Sequence, residues 1–316
     1  MEVTYTIVVP DNDLLTKLCG TNDNNLKLIE KYLGVSVFTQ GNELSIEKTS
    51  TEIEQQFKFI IDRLIDEATA GFDITNDLIC NILQVKSNGN LHKQLSDASI
   101  LIPGGTRKVY PKSINQANLV IAMRNHDMVF CTGPAGSGKT FLAIAEALRM
   151  ILSHEKSSLI LTRPVVEAGE SLGFLPGDLE QKINPYLRPL FDSINSLLPQ
   201  AIVRRLIESG VIETAPLAYM RGRTLNNSII ILDEAQNTTR EQMKMFLTRM
   251  GEGSKVFVTG DITQIDLPTR IPSGLVHATR ILKYIPEIQM LEFDSSDVVR
   301  NPLVKKIVQA YENEQK

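Results

Sequence analysis

The sequence predicts an α/β protein with a parallel sheet over residues 113–316, preceded by a small α+β unit over residues 1–85. Two observations predict the parallel sheet: after residue 113 apolar strand-like segments alternate with helical segments, and a glycine-rich loop, Gly133–Thr140, joins one such strand to a helix. The order β-α-α-β-β-α along the first 70 residues predicts the smaller unit. Residues 86–112 are expected to form a linker with a hairpin.

Each element of the small unit has a local signal. Residues 3–9 alternate as a half-buried strand does, Asp11 can cap a helix that runs through Cys19, and Gly34 stops a second helix. The remaining predicted elements are a hairpin of Val35–Gln40 and Leu44–Glu47, an amphipathic helix over Thr51–Ala70 and a short helix over Asp73–Val85.

This order of elements is similar to that of KH-type modules, in which a G-x-x-G loop between two helices binds a nucleic-acid backbone. Here the loop is Gly20-Thr21-Asn22-Asp23, so an aspartate replaces the second glycine. Its carboxylate would repel phosphates. A nucleic-acid-binding role and a structural or oligomerising role both remain open for this unit.

The predicted linker contains a cationic group. Arg107, Lys108 and Lys112 surround Tyr110 and follow Gly104-Gly105. The segment is either a hairpin that contacts nucleic acid or a solvated turn.

Composition is that of an ordinary globular protein, with 42% hydrophobic and 22% charged residues and a net charge of −4. No apolar run is long enough to span a bilayer and the N-terminus lacks signal-peptide features, so we expect a cytoplasmic protein with no membrane partner. Cys19, Cys80 and Cys131 lack metal-ligand spacing, which argues against a disulfide framework and a zinc site. The net charge excludes a generally basic nucleic-acid-binding coat but not a local basic patch.

A complete phosphate-binding loop, G-x-x-x-x-G-K-[ST], is formed by Gly133-Pro134-Ala135-Gly136-Ser137-Gly138-Lys139-Thr140. A strand-like segment precedes it and a helix-like segment follows, as the motif requires. The glycines allow backbone N–H groups to surround phosphates, and the helix N-terminus adds partial positive charge. We expect Lys139 to reach the β- and γ-phosphate oxygens and Thr140 to offer its hydroxyl to Mg²⁺.

An apolar strand, Ser228–Leu232, ends in two adjacent carboxylates, Asp233 and Glu234. In a protein with a phosphate loop, Asp233 would hold Mg²⁺ and Glu234 would polarise the water that attacks the γ-phosphate. A passive nucleotide binder needs the magnesium aspartate but no neighbouring base. The pair therefore favours an enzyme.

Two glutamines complete the predicted site. A strand over Val256–Thr259 leads into Asp261 and Gln264, and Gln264 can donate to a γ-phosphate oxygen and accept from the attacking water. Gln116, just before the first helix of the larger unit, is placed to read the edges of adenine. No Asn-Lys-x-Asp guanine-reading motif occurs, so ATP is favoured over GTP.

Together these segments resemble known motifs. Gly133–Thr140, Asp233–Gln236 and Gly260–Gln264 resemble motifs I, II and III of superfamily 1 helicases, and Asn115-Gln116 resembles their adenine-reading Q motif. A longer set of segments is similar to the PhoH-like ATPases: Ala218–Leu225, Ile231–Thr239, Asp261–Pro268, Thr162–Gly177 and Asp297–Arg300.

The resemblance implies a RecA-like P-loop NTPase fold preceded by a KH-like domain, and ATP hydrolysis with Mg²⁺ linked to RNA metabolism, often with an rRNA-maturing endoribonuclease partner. At one position the chain departs from the family, because Asn301 stands where a His commonly follows the arginine that is here Arg300. A nucleotide-gated RNA-binding scaffold with slow hydrolysis and no unwinding is the alternative. A small-molecule kinase would need an Arg-rich lid, which the sequence does not indicate.

The length raises a question about the arginine that stabilises transition-state charge. Superfamily 1 motors close two lobes on one ATP, but the residues after Ser113 suffice for one lobe. We therefore expect a homo-oligomeric ring, for example a hexamer, in which Arg221, Arg223 or Arg300 completes the neighbouring site. Alternatively, Arg223 pairs with a carboxylate and Arg300 contacts the γ-phosphate of its own subunit. Arg163 and residues 167–171 are expected to meet either RNA or another subunit.

Overall fold

The computed structural model describes residues 4–47, 49–84, 95, 97–106, 108–164 and 179–299. The chain divides into two compact units, one of residues 1–99 and 106–112 and the other of residues 100–105 and 113–316. The segment expected to be a linker, 86–112, is thus divided, because residues 100–105 belong to the larger unit and 106–112 to the smaller one.

Within the described residues, the smaller unit has the predicted order β-α-α-β-β-α, and the helix expected over Asp73–Val85 follows it. Its elements are β1 (Thr4–Val8), α1 (Asn12–Cys19), α2 (Asn24–Leu33), β2 (Val37–Gln40), β3 (Glu43–Glu47), α3 (Thr51–Thr69) and α4 (Asn76–Gln84). The strands form an antiparallel sheet in the order β1-β3-β2. Its core joins alternate residues of β3, Leu44 and Ile46, to the apolar face of α3.

The helix signals of this unit act as predicted. The Asp11 carboxylate accepts a hydrogen bond from the Leu14 N–H at 2.7 Å at the start of α1. Gly34 ends α2 with a φ of 72°, a left-handed conformation that glycine adopts without strain.

The cationic group after Gly105 is compensated by acidic neighbours. Lys108 forms an ion pair with Glu67 at 3.2 Å and lies 5.2 Å from the centre of the Tyr110 ring, and Lys112 pairs with Asp77 at 2.8 Å. These lysines therefore carry partners from their own unit, which weakens the interpretation of a nucleic-acid-contacting hairpin. Arg107 lies outside the described residues.

The larger unit is an α/β fold with a parallel sheet, as predicted. Its strands are β4 (Met128–Thr132), β5 (Ser158–Arg163), β6 (Ile212–Pro216), β7 (Ser228–Leu232), β8 (Lys255–Gly260) and β9 (Ile288–Glu292). Its helices are α5 (Ile114–Asn125), α6 (Lys139–Leu152), α7 (Leu179–Asn195), α8 (Gln200–Glu208), α9 (Arg240–Leu247) and α10 (Gly274–Leu282). Short 3₁₀ helices cover Leu217–Met220, Ala235–Asn237 and Ser295–Asp297.

All strand pairs of this sheet are parallel, in the order β6-β5-β7-β8-β4-β9. The carboxyl ends of β4, β5, β7 and β8 therefore meet at one edge, where ligands bind in such folds. Strand β6 was not predicted. Its sequence, Ile-Glu-Thr-Ala-Pro, lacks the apolar run of a central strand because it lies at the side of the sheet and has one strand neighbour.

In the described part of the chain, no helix combines the length and apolar character needed to cross a membrane.

Candidate nucleotide-binding site

The phosphate loop connects β4 to α6 through three glycines with positive φ. Gly133, Gly136 and Gly138 have φ values of 143°, 81° and 83°. A Cβ at Gly133 would lie 2.6 Å from the Phe293 carbonyl oxygen, so a side chain is excluded there. Because the N-cap of α6 is Gly138, the helix begins without a side-chain cap, and its first N–H groups suit an anion.

Lys139 lies in this loop with its ammonium group held by loop oxygens. Its Nζ donates to the carbonyls of Gly133 and Pro134, each at 2.8 Å, and to the Ser137 hydroxyl at 3.1 Å. Burial lowers the pKa of Lys139, while neighbouring charges that include Asp261 and Asp233 oppose that shift. The lysine is thus a buried cation beside the acidic residues of the site.

Asp233 follows β7 and meets Thr140, the first-turn hydroxyl of α6. The Thr140 hydroxyl donates to Asp233 Oδ1 at 2.6 Å, and the Thr259 hydroxyl donates to the same oxygen at 2.8 Å. A carboxylate beside a hydroxyl is a set of hard oxygen donors of the kind that Mg²⁺ prefers. The residues therefore fit a magnesium ion, and Thr140 and Asp233 would hold it.

Glu234 has a left-handed backbone with a φ of 54°, which is uncommon for a residue with a side chain. Its Oε2 accepts a hydrogen bond from Gln236 Nε2 at 2.7 Å, and its side chain is 46% exposed. Such strained conformations cluster at functional sites, because the surrounding structure has to impose them. The carboxylate is accessible for chemistry and oriented by a neighbour.

Gln236 links the two acidic segments. Beside its bond to Glu234, its Nε2 donates to the Gln264 carbonyl at 3.2 Å, and its Oε1 accepts from the Asp261 N–H at 3.0 Å. Gln236 is buried. One amide group therefore holds residues that follow both β7 and β8.

Asp261 connects the segment after β8 to the phosphate loop. Its Oδ2 accepts from the Ala135 N–H at 3.0 Å and from Gln264 Nε2 at 2.6 Å, and its Oδ1 accepts from the N–H and hydroxyl of Thr263. Burial alone raises the pKa of Asp261, but these hydrogen bonds outweigh it and hold the pKa below its ordinary value. The anion fixes both Gln264 and the loop.

These side chains line one cavity of about 460 Å³, which is within the usual size of small-molecule sites. Its walls include Lys139, Thr140, Asp233, Glu234, Asp261 and Gln264. Helix α7 contributes Pro189 and Ser193, which the sequence did not indicate. The structure thus brings together the predicted phosphate, magnesium and base residues.

The other predicted site residues lie differently. Gln116 is buried, and its Nε2 donates to the Ser137 carbonyl of the phosphate loop at 2.9 Å, so the structure shows a contact with the loop. Arg223 forms a two-pronged ion pair with Glu213, with N–O distances of 2.5 and 2.7 Å, as the alternative interpretation expected. Arg221 is exposed. Arg300 and residues 167–171 lie outside the described residues.

Arg163 makes a contact that the sequence did not predict. It was assigned to RNA or subunit contact, but its guanidinium donates to Asp233 Oδ2 through Nε at 2.8 Å and through Nη2. A second missed residue is Asp297, which accepts from Ser113 at 2.5 Å and from Asn115 at 2.9 Å. The only signal for Asp297 was the segment Asp297–Arg300 that carries the family resemblance.

Comparison with known proteins gives a family match. The family model described as PhoH-like protein matches residues 108–312. A PhoH-like protein of Bacillus subtilis is 45% identical over 311 residues, which are 96% of this chain and 95% of that protein. A PhoH-like protein of Mycobacterium leprae is 45% identical over 98% of this chain and 89% of that protein.

The match to Protein PhoH of Escherichia coli is shorter, with 41% identity over 65% of this chain and 59% of that protein. Among solved structures, a large terminase from a thermophilic bacteriophage has a TM-score of 0.40 at 13% identity, covering 62% of this chain and 49% of that one. A likeness of that size carries no functional argument.

Proposed function

Because this chain belongs to the PhoH-like protein family, and because its phosphate loop shares a cavity with Asp233 and Glu234, we propose that it is a Mg²⁺-dependent ATPase that acts in RNA metabolism. The observation that carries the proposal is the hydrogen bond from Thr140 to Asp233, with Glu234 beside it on the cavity wall. A passive nucleotide binder would need Asp233 for Mg²⁺ but not the neighbouring Glu234.

The residues divide the work of hydrolysis as follows. The loop N–H groups and Lys139 would bind the phosphates, and Thr140 and Asp233 would hold Mg²⁺, which would supply positive charge at the phosphate oxygens. Glu234 accepts a proton from the attacking water, whose oxygen bonds to the γ-phosphorus while the bond to the β–γ bridging oxygen breaks and ADP leaves. Gln264, fixed by Asp261, positions that water.

ATP is the proposed nucleotide, with Gln116 near the base. A homo-oligomeric ring is proposed because the described part of the larger unit contains one six-stranded sheet and hence one lobe. RNA and an endoribonuclease are the proposed partners, on the family resemblance, and the cytoplasm is the proposed location.

A nucleotide-gated RNA-binding scaffold with slow hydrolysis is the second candidate. The contact of Arg163 with Asp233 favours it, since a cation bound to the magnesium ligand competes with the metal ion for that carboxylate.

Steady-state phosphate release in Mg²⁺ and ATP, with and without single-stranded RNA, tests the proposal. The ATPase predicts release that requires Mg²⁺ and rises with RNA, and GTP serves as the matched nucleotide control. Release that RNA does not change would favour the scaffold, and no release at all would contradict an ATPase.

A further inference from the structure

Within the proposed function, on which this inference rests, we propose that Arg163 is a built-in counter-ion of Asp233 that the divalent ion must displace. Metal loading would then release Arg163 from Asp233. This makes Arg163 a residue that sets the metal requirement of the site.

All the hydrogen-bond acceptor sites of the Asp233 carboxylate are occupied. A carboxylate offers about four lone-pair sites. Oδ1 accepts from the Thr140 and Thr259 hydroxyls, at 2.6 and 2.8 Å, and Oδ2 accepts from Nε and Nη2 of Arg163. A metal ion therefore coordinates Asp233 directly, rather than through a water molecule, only if one of these donors leaves.

Arg163 is the donor to leave. Thr140 is itself a ligand that the metal would use, and Thr259 is buried and neutral. Arg163 is positively charged, and a cation is repelled by a divalent ion most strongly where solvent screening is weak. The pair is poorly screened, because the side chains of Arg163 and Asp233 are only 16% and 4% exposed.

Arg163 has other contacts in the same place. Its Nη1 donates to the Tyr186 carbonyl of α7 at 2.9 Å, and its Nη2 lies 4.0 Å from Glu234 Oε1. Arg163 and Lys139 are the basic side chains among the described residues that line the cavity. Displacement from Asp233 therefore leaves the guanidinium beside Glu234, with Nη1 still placed to donate to the Tyr186 carbonyl of α7.

A metal titration tests this exchange through binding alone. Binding of fluorescently labelled ADP, which avoids turnover, is followed while Mg²⁺ is increased in wild type, Arg163→Gln and Arg163→Lys. Loss of the competing charge lowers the Mg²⁺ concentration at half-saturation by about tenfold in Arg163→Gln, a typical size for coupling between two ligands. Lysine keeps the positive charge but not the two-pronged geometry of the guanidinium, so Arg163→Lys lowers the half-saturating Mg²⁺ concentration by only about threefold.

Arg204→Gln is the matched control, because Arg204 is an exposed arginine of α8 that pairs with Glu208. It should leave the half-saturating Mg²⁺ concentration at the wild-type value. An unchanged or raised value in Arg163→Gln would overturn the inference. Should that variant fail to fold by circular dichroism, the same criterion applies to Arg163→Lys.

Thermal unfolding with Mg²⁺ alone separates this inference from the proposed function. The rise in Tm on adding Mg²⁺ should be larger for Arg163→Gln than for wild type, because the uncompensated carboxylate gains more from the ion. An equal or smaller rise would overturn the inference. Wild-type protein that binds no labelled ADP would contradict the proposed function, while the Tm comparison still decides the role of Arg163.

Discussion

Gln116 ties the start of helix α5 to the phosphate loop. The Ser113 hydroxyl caps α5 by accepting from the Gln116 N–H at 3.1 Å, and the Gln116 side chain reaches the Ser137 carbonyl. The sequence assigned this glutamine to adenine recognition. The geometry adds support of the loop, which every nucleotide would use.

Gln116→Ala should therefore weaken the binding of ATP and the binding of GTP to a similar extent. We expect each nucleotide to lose about 0.5–1.5 kcal/mol of binding free energy, the usual net value of one hydrogen bond. Equilibrium binding of labelled ATP and GTP measures it. A loss confined to ATP would show that adenine recognition is the main role of this residue.

Asp261 gives the site a pH dependence. Its folded pKa lies below its unfolded value of about 3.9, so its hydrogen bonds stabilise the protein above that pH and are lost as the pH falls toward the folded pKa. Asp261→Asn should lower the free energy of unfolding at pH 7 by about 1–3 kcal/mol. The difference from wild type should shrink below about pH 4.

Urea unfolding of both proteins between pH 3 and pH 7 measures this difference. A gap between wild type and Asp261→Asn that is constant over the whole range would contradict the role of the ionised carboxylate.

At the scale of elements, the small unit was predicted well because its signals are local. Capping residues, glycine stops and apolar periodicity lie within a few residues of the elements they define, as at Asp11 and Gly34. The phosphate loop and Asp233-Glu234 were found for the same reason, since each is a contiguous motif.

The pairing of Arg163 with Asp233 could not be predicted in this way. It depends on β5 and β7 being neighbours, with Thr162 in register with Leu232, so that the next residue on each strand meets its counterpart. Strand order is a long-range property of the sheet. The edge strand β6 and the contacts of Asp297 were missed on the same grounds.

The loop Gly20–Asp23 of the small unit differs from a G-x-x-G loop in both charge and backbone conformation. Asn22 and Asp23 both have left-handed backbones, with φ values of 54° and 57°, a conformation that favours glycine. The smaller unit, residues 1–99 and 106–112, contains 15 acidic and 11 basic side chains, which gives it a net charge of −4. An acidic surface repels RNA.

Asp23→Gly, which restores the G-x-x-G pattern, should therefore leave the RNA affinity of the full chain unchanged. Fluorescence anisotropy with labelled single-stranded RNA at fixed salt measures it. A clear gain in affinity would instead assign RNA binding to this loop.

At the scale of the whole molecule, the proposed ring requires an arginine in trans. Arg223 is engaged by Glu213, so within the described residues Arg221, exposed after the 3₁₀ helix Leu217–Met220, is the better candidate. At each site, the base Glu234 and the arginine Arg221 would then come from different subunits.

Mixing two inactive variants tests that arrangement. Glu234→Gln lacks the base and Arg221→Ala lacks the arginine, and mixed assemblies would contain sites with both groups intact. We expect the mixture to hydrolyse ATP faster than either variant alone. In the parallel control, a mixture of Arg223→Ala and Glu234→Gln should hydrolyse ATP no faster than Arg223→Ala alone. A mixture no faster than its components would contradict sharing through Arg221.

The central claim is that this cavity hydrolyses a nucleotide with Glu234 as the base. Glu234→Gln removes the base with little change in size, and Glu252→Gln, an exposed site away from the cavity, is its control. We predict that Glu234→Gln binds ATP as wild type does. Its rate of phosphate release should fall by a factor of about 10²–10⁴, the usual contribution of a general base. Phosphate release at the wild-type rate in Glu234→Gln would contradict the account.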